Sequence, residues 1–370
     1  MLELIKKNPV LVLSGILALA SCFVVRPDMQ YIGYINLRVL AILMSLMLVV
    51  AVLLRIGTFD FLTSKLLGRL HTSRSISLLL TALSFTLAMF LTNDVTLVTL
   101  VPFAIAVLKT FNDRRSLMFT LILMTVAANL GSMLTPIGNP QNLYLYSFYH
   151  IPLTAFLKLM LPYSTVSLLL IIISVFALCK NTSSAPLENK TAEAPGKAKL
   201  AICIALFVLC VLAVADVINW ILMFFVTICI VILMDKKAFK YVDYNLLVTF
   251  VFFFVLTGNL GRIEQIYNAL SKIVESSPVI AAVLSSQIIS NVPAAMLLSA
   301  FTDNGEALVI GTNLGGLGTL IASMASLITY RFYTSMPNEE NRKGLGYLPA
   351  FTLVNVVFLA LLLLFYALIR

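Results

Sequence analysis

Apolar residues in this 370-residue chain fall in blocks of 16 to 25, separated by short charged gaps. Each block is near the ~20 residues that a helix needs to cross a ~30 Å hydrocarbon core. The pattern predicts about nine spans, near 9–25, 35–54, 116–149, 153–179, 200–217, 220–234, 244–260, 306–330 and 347–369. Two further apolar blocks must turn back. Residues 76–109 would overshoot the bilayer as one helix, and as two crossings would be short, with the polar Thr92-Asn93-Asp94 between them. A hairpin dipping from the cytoplasm with that tripeptide at its tip meets both constraints. Residues 278–302 do the same from outside, with Ser290-Asn291 at the tip.

Composition agrees with the pattern. The chain is 61% apolar and 11% charged, against about 45–50% and 25% in soluble domains. It reads as an all-α polytopic membrane protein, and coiled coils, soluble enzymes and nucleic-acid binders are excluded. The net charge of +9 is orientation information, because Lys and Arg collect in cytoplasmic loops. With the N-terminus inside, all basic residues except Arg26, Arg38, Lys158, Arg262, Lys272 and Arg370 fall on the cytoplasmic side. The C-terminus then lies outside a plasma or inner membrane. Lys6 and Lys7 precede the run Pro9 to Val25, but no small-residue cleavage site closes it, so it reads as a first span. The five cysteines (Cys22, Cys179, Cys203, Cys210, Cys229) form no CxxC and predict neither disulfides nor a zinc site. Residues 180–199 form a polar cytoplasmic linker, and its sequons at Asn181 and Asn189 read as chance on that side.

The two halves carry the same order of parts. A span (35–54) is followed by an amphipathic stretch (59–70), the hairpin 76–109 and a broken span 116–149 containing Asn129-Leu130-Gly131-Ser132. In the second half a span (244–260), an amphipathic stretch (263–274), the hairpin 278–302 and a broken span 306–330 containing Asn313-Leu314-Gly315-Gly316 repeat the order. One repeat begins outside and the other inside, so they are inverted, an architecture common among secondary transporters. The expected organisation is an N-terminal span and loop (1–34), a first repeat (35–179), the linker, connecting spans (200–243), a second repeat (244–346) and a last span (347–370).

The breaks carry the chemistry. Residues 129–142 read NLGSMLTPIGNPQN, which cannot be continuous lipid-facing helix. Such backbone is tolerated at membrane depth only where protein or a water-filled cavity satisfies it. Pro136 and Pro140 free carbonyls, Gly131 and Gly138 permit close approach, and Asn129, Ser132, Thr135, Asn139 and Asn142 add polar side chains. Carbonyls suit a cation, and helix N-termini suit an anion. Thr312, Asn313, Gly315 and Gly316, with Ser290, Asn291 and Pro293, form the other wall of the expected binding site, and Thr92, Asn93 and Asp94 its first tip. Asp94 alone among the acids is expected at membrane depth. An intramembrane carboxylate is a functional hypothesis by default, and with no basic partner nearby it points to a proton or Na⁺ as coupling ion. No other cofactor or metal is expected.

At these motifs the chain resembles the ion transporter superfamily. TNDVTLVTLVP (92–102), NLGSMLTPIGNPQN and SNVP are similar to its arsenite-permease and citrate-permease branch, in a short subgroup of permeases, with a distant relation to divalent anion–sodium symporters. The resemblance implies a moving transport domain, a static scaffold and elevator-type alternating access, and it allows a homodimer. It implies a secondary transporter of a small carboxylate or oxyanion coupled to H⁺ or Na⁺. A cation–proton antiporter and an arsenite or antimonite efflux permease are the alternatives. An intramembrane enzyme is the distant one: only one acid is expected at depth, HExxH and Walker A sequences are absent, and His71 and His150 lie in loops.

Overall fold

A computed structural model describes residues 9–67, 70–183, 193–336 and 346–369. Lys6, Lys7, Arg69, Asn189, Lys190, Arg342, Lys343 and Arg370 lie outside them. The described residues are almost entirely helical, with no strand beyond one isolated bridge between Thr72 and Ser183. That is the form in which a lipid-embedded backbone satisfies its own polar groups. Among the described residues six helices are long and apolar enough to span a membrane, or seven if the pair Glu264–Ser276 and Pro278–Ile289, bent by 111°, counts as one. The other three expected spans fall on shorter helices, Pro9–Val24 and Trp220–Asp235 at 16 residues each and the separate pair Gly305–Leu314 and Met324–Thr334, so the count of nine exceeds the helices long enough to cross.

Leu37–Arg55 anchors a lateral bundle with Lys197–Val214 and Trp220–Asp235. Ion pairs clamp it at both ends, Arg38–Asp216 at 2.7 Å and Arg55–Asp235 at 2.5 Å. Pro9–Val24 lies along Tyr244–Gly261, where Asn259 donates to Ser21 Oγ at 2.9 Å. Beyond that helix Arg262 pairs with Asp28 at 2.8 Å, and the guanidinium holds the Asp28 carboxyl below the usual carboxylate range.

Both apolar blocks that had to turn back do so. The first hairpin is Ser73–Ala88 and Asn93–Lys109, starting three residues before the expected boundary because Thr72 caps it by accepting from Ser75 N. The second is Pro278–Ile289 and Asn291–Leu298, closed by the short turn Ser299–Phe301. The first broken helix runs Arg114–Gly131, a 3₁₀ turn Ser132–Leu134 and a trailing limb Pro140–Phe148. Pro140 opens that limb, where its missing N–H costs nothing. Each hairpin packs on the leading limb of its own broken helix and on the trailing limb of the other half: Asn93–Lys109 meets Met324–Thr334, and Asn291–Leu298 meets Pro140–Phe148. The linker is shorter than its composition suggests. Ser73 Oγ donates to Lys180 O at 2.8 Å and Ser73 N to Thr182 O at 2.8 Å, so residues 180–183 are tied to the first hairpin, and helix resumes at Lys197.

Candidate functional site

The two hairpin tips and the two breaks meet in one buried, uncharged hydrogen-bond network. Asn93 opens the outgoing limb of the first hairpin, 3% exposed, and its Nδ2 donates to Asn129 Oδ1 at 2.8 Å. Asn129 sits in the last turn before the first break, with its own Nδ2 donating to Gly316 O at 3.4 Å. Ser323, at the N-cap of Met324–Thr334, donates to Asn129 Oδ1 at 2.9 Å and accepts from Asn93 at 3.5 Å. One carboxamide of the first half thus links the first tip to both sides of the second break.

The second link runs the other way. Asn313 Nδ2 donates to Asn142 Oδ1 at 2.6 Å and to Val309 O at 2.7 Å. Asn142 donates to the carbonyls of Ser132 and Thr135, both at 3.3 Å, filling two acceptors that the first break frees. Asn139 donates to Ser132 Oγ, and Ser132 to Asn129 O at 2.9 Å. Thr135 donates to Met89 O in the turn of the first hairpin. Gly131 lies so close to that hairpin that a Cβ would stand 2.1 Å from Phe85 O, and Gly138 is pressed against Ser132 and Ala88 backbone in the same way. Pro136 is buried in the break.

At the second tip Ser290 takes φ +75°, a conformation rare for a non-glycine residue. It is held there by Asn291 N donating to Ala322 O at 3.0 Å and by Ser290 Oγ at 3.4 Å from the same carbonyl. Asn291 Nδ2 would stand 3.1 Å from a Cβ at Gly316, so Asn291 and Asn129, which donates to Gly316 O, both reach the Gly316 segment. Pro293 is buried in the first turn of the outgoing limb.

Other expected site residues stand apart. Thr312 donates only along its own helix, to Leu308 O at 2.7 Å and more weakly to Val309 O. Gly315 contributes close packing on Ser286 and a carbonyl rather than a side chain. Thr92 is half-buried and makes no side-chain cap. Asp94 sits next to the network without entering it: its backbone N–H is bonded to Asn93 Oδ1 at 2.9 Å, while its buried Oδ1 has no partner. No group of three or more His, Cys, Asp or Glu that could hold a metal occurs among the described residues.

Two residues absent from the expected set, Ser323 and Gln287, bond to the same breaks. Ser323 is the last hydroxyl of the glycine-rich stretch 313–323 that forms the second break. Gln287, one turn before the second tip, donates to Gly315 O and Leu317 O at 2.9 Å each and accepts from Thr319 N at 2.9 Å. Gln141 is fully buried with neither amide atom partnered, and Asn139 Oδ1 and Asn313 Oδ1 are likewise unpartnered. Uncompensated burial of such groups costs about 1–3 kcal/mol each on mutational scales.

Comparison with known proteins places this geometry in context. Residues 1–304 match the family model described as citrate transporter. Over 304 residues the chain is 34% identical to an uncharacterized transporter of Methanocaldococcus jannaschii, covering 82% of this chain and 83% of that protein. It is 28% identical over 281 residues to the inner membrane protein YbiR of Escherichia coli, covering 74% of each. A segment of 151 residues is 28% identical to the human P protein, covering 39% of this chain and 18% of that one.

Proposed function

Because the chain belongs to the citrate transporter family and is a membrane transporter, we propose that it is a secondary active transporter. Its substrate is a small carboxylate or oxyanion, and it is coupled to H⁺ or Na⁺. The observation that carries this reading is the uncharged network of Asn93, Asn129, Asn142, Asn313 and Ser323 at the meeting of two tips and two breaks. Its amide N–H groups are spent holding the breaks together, so the groups that face an anion are the helix N-termini at the tips and breaks, and the unpartnered oxygens of Asn139 and Asn313 suit a cation. A bare anion in a buried neutral site carries a large desolvation cost. Entry together with a cation cancels much of it, and that mutual need is the physical basis of coupling. Asp94, one residue from the network and with a free oxygen, is the group we assign to the coupling ion.

On this reading residues 35–179 and 244–346 are inverted repeats. Their hairpins and broken helices move as one body against the lateral helices Leu37–Arg55, Lys197–Val214, Trp220–Asp235 and Tyr244–Gly261, which is elevator-type alternating access. The interlock in which each hairpin packs on the other half's trailing limb supports movement as a single body. The experiment is uptake of citrate, succinate and arsenite into proteoliposomes, with Na⁺ and pH gradients imposed separately. A carboxylate should accumulate only with a gradient. Asn93→Ala and Asn313→Ala should abolish accumulation at normal folding and insertion. Wild-type uptake by both variants would remove the network from the transport path.

A further inference from the structure

A cavity of about 230 Å³ lies away from the amide network, between the start of Leu37–Arg55, the end of Pro140–Phe148 and the loop after Lys197–Val214. Arg38, Tyr146, Ser147, His150 and Asp216 line it, so its wall is mostly polar. Arg38 is only 19% exposed, and its protein contacts are all made by Nη2: to Asp216 Oδ1 at 2.7 Å, to Val214 O at 3.3 Å and to Ala213 O at 3.4 Å. Nε is buried and without a partner. The pairing with Asp216 is therefore one-pronged, although a guanidinium offers a two-pronged fork to a carboxylate. Asp216 is 69% exposed and sits on a left-handed backbone at φ +59°, so water can take over its carboxylate at little cost.

We propose that this cavity is a second anion site, where a small carboxylate from solution displaces Asp216 and takes Arg38 through the Nε–Nη2 fork. The proposal rests on the anion-transport reading above, because it makes the cavity a loading station. Tyr146 and Ser147 belong to the same short limb whose first turn carries Asn142, and about 6 Å of helix rise separates Asn142 from Tyr146. An anion leaving Arg38 is therefore one turn from the network. The volume holds one small carboxylate with a few waters, and His150 and Tyr146 can donate to its outer oxygens.

The chain has a single tryptophan, Trp220, four residues after Asp216, which gives a local probe. The experiment is titration of the purified full-length protein with citrate at constant ionic strength, reading tryptophan fluorescence, with sodium chloride as control. A saturable change should appear, tighten about tenfold in Asp216→Asn, where no internal carboxylate competes, and vanish in Arg38→Gln. Asn129→Ala should leave it unchanged, which separates this site from the network. The inference is overturned if Asp216→Asn, shown folded by its thermal unfolding, gives no saturable response or no tightening, or if the response is lost in Asn129→Ala and kept in Arg38→Gln. Failure of transport by Asn93→Ala with this titration intact would leave the cavity site standing. Normal network behaviour with no response in Asp216→Asn would remove the cavity site alone.

Discussion

Gln287 ties the second hairpin to the second broken helix, and its removal should be felt in stability before transport. Its Nε2 shares two hydrogens among Gly315 O and Leu317 O at 2.9 Å and Val283 O at 3.2 Å, and its Oε1 accepts from Thr319 N at 2.9 Å. Three net bonds at about 1 kcal/mol each, partly repaid by water because the side chain is half-buried, predict that Gln287→Ala costs about 2–3 kcal/mol. Gln287→Glu keeps the acceptor for Thr319 but turns an anionic oxygen on two carbonyls. It should cost more than Gln287→Ala at pH 8, because a charge left facing acceptors loses more than a neutral group. Protonation turns that oxygen back into a donor for the two carbonyls, so Gln287→Glu should lose less stability at pH 5 than at pH 8. Gly318 completes the arrangement at φ +110°, with a would-be Cβ 2.3 Å from Gln287 Oε1. Gly318→Ala should therefore cost less in the Gln287→Ala background than in the wild type. The assay is SDS unfolding in mixed micelles at pH 5 and pH 8. A loss under about 0.5 kcal/mol for Gln287→Ala, or identical pH profiles for the Ala and Glu variants, would refute this account of the break.

Gly131→Ala should fail to fold or lose at least about 3 kcal/mol, since its Cβ would overlap Phe85 backbone, whereas Gly33→Ala meets nothing within 4 Å and should be silent in the same unfolding assay. Asp94→Asn should still bind substrate but lose accumulation driven by a pH or Na⁺ gradient, retaining exchange in proteoliposomes; full gradient-driven accumulation would move the coupling ion elsewhere. Cysteine placed at Asn112 should be labelled from the cytoplasm and at Asn304 only from outside, and labelling of both from one side would end the inverted-repeat reading.

The sequence by itself determined where the chain spans, where it turns back and where it breaks. Those are local properties: the length of an apolar run, the missing N–H of Pro140, and polar tripeptides such as Thr92-Asn93-Asp94 that no lipid-facing helix tolerates. It also located the asparagines of the network, because carboxamides inside apolar segments are conspicuous. Tertiary structure alone decided which groups meet. Asn129 binds Ser323 and Gly316 across 194 and 187 residues, Gln287 reaches across to the second break, and Arg38 finds Asp216. It also set Asp94 beside the network rather than in it, and left Thr312 on its own helix. The reason is that hydrophobic patterning fixes a helix's inward face only where the alternative is water. In a membrane the lipid is as apolar as the core, so helix rotation is chosen by close contacts, as at Gly131 on Phe85, and by the pairing of polar groups that have nowhere else to go.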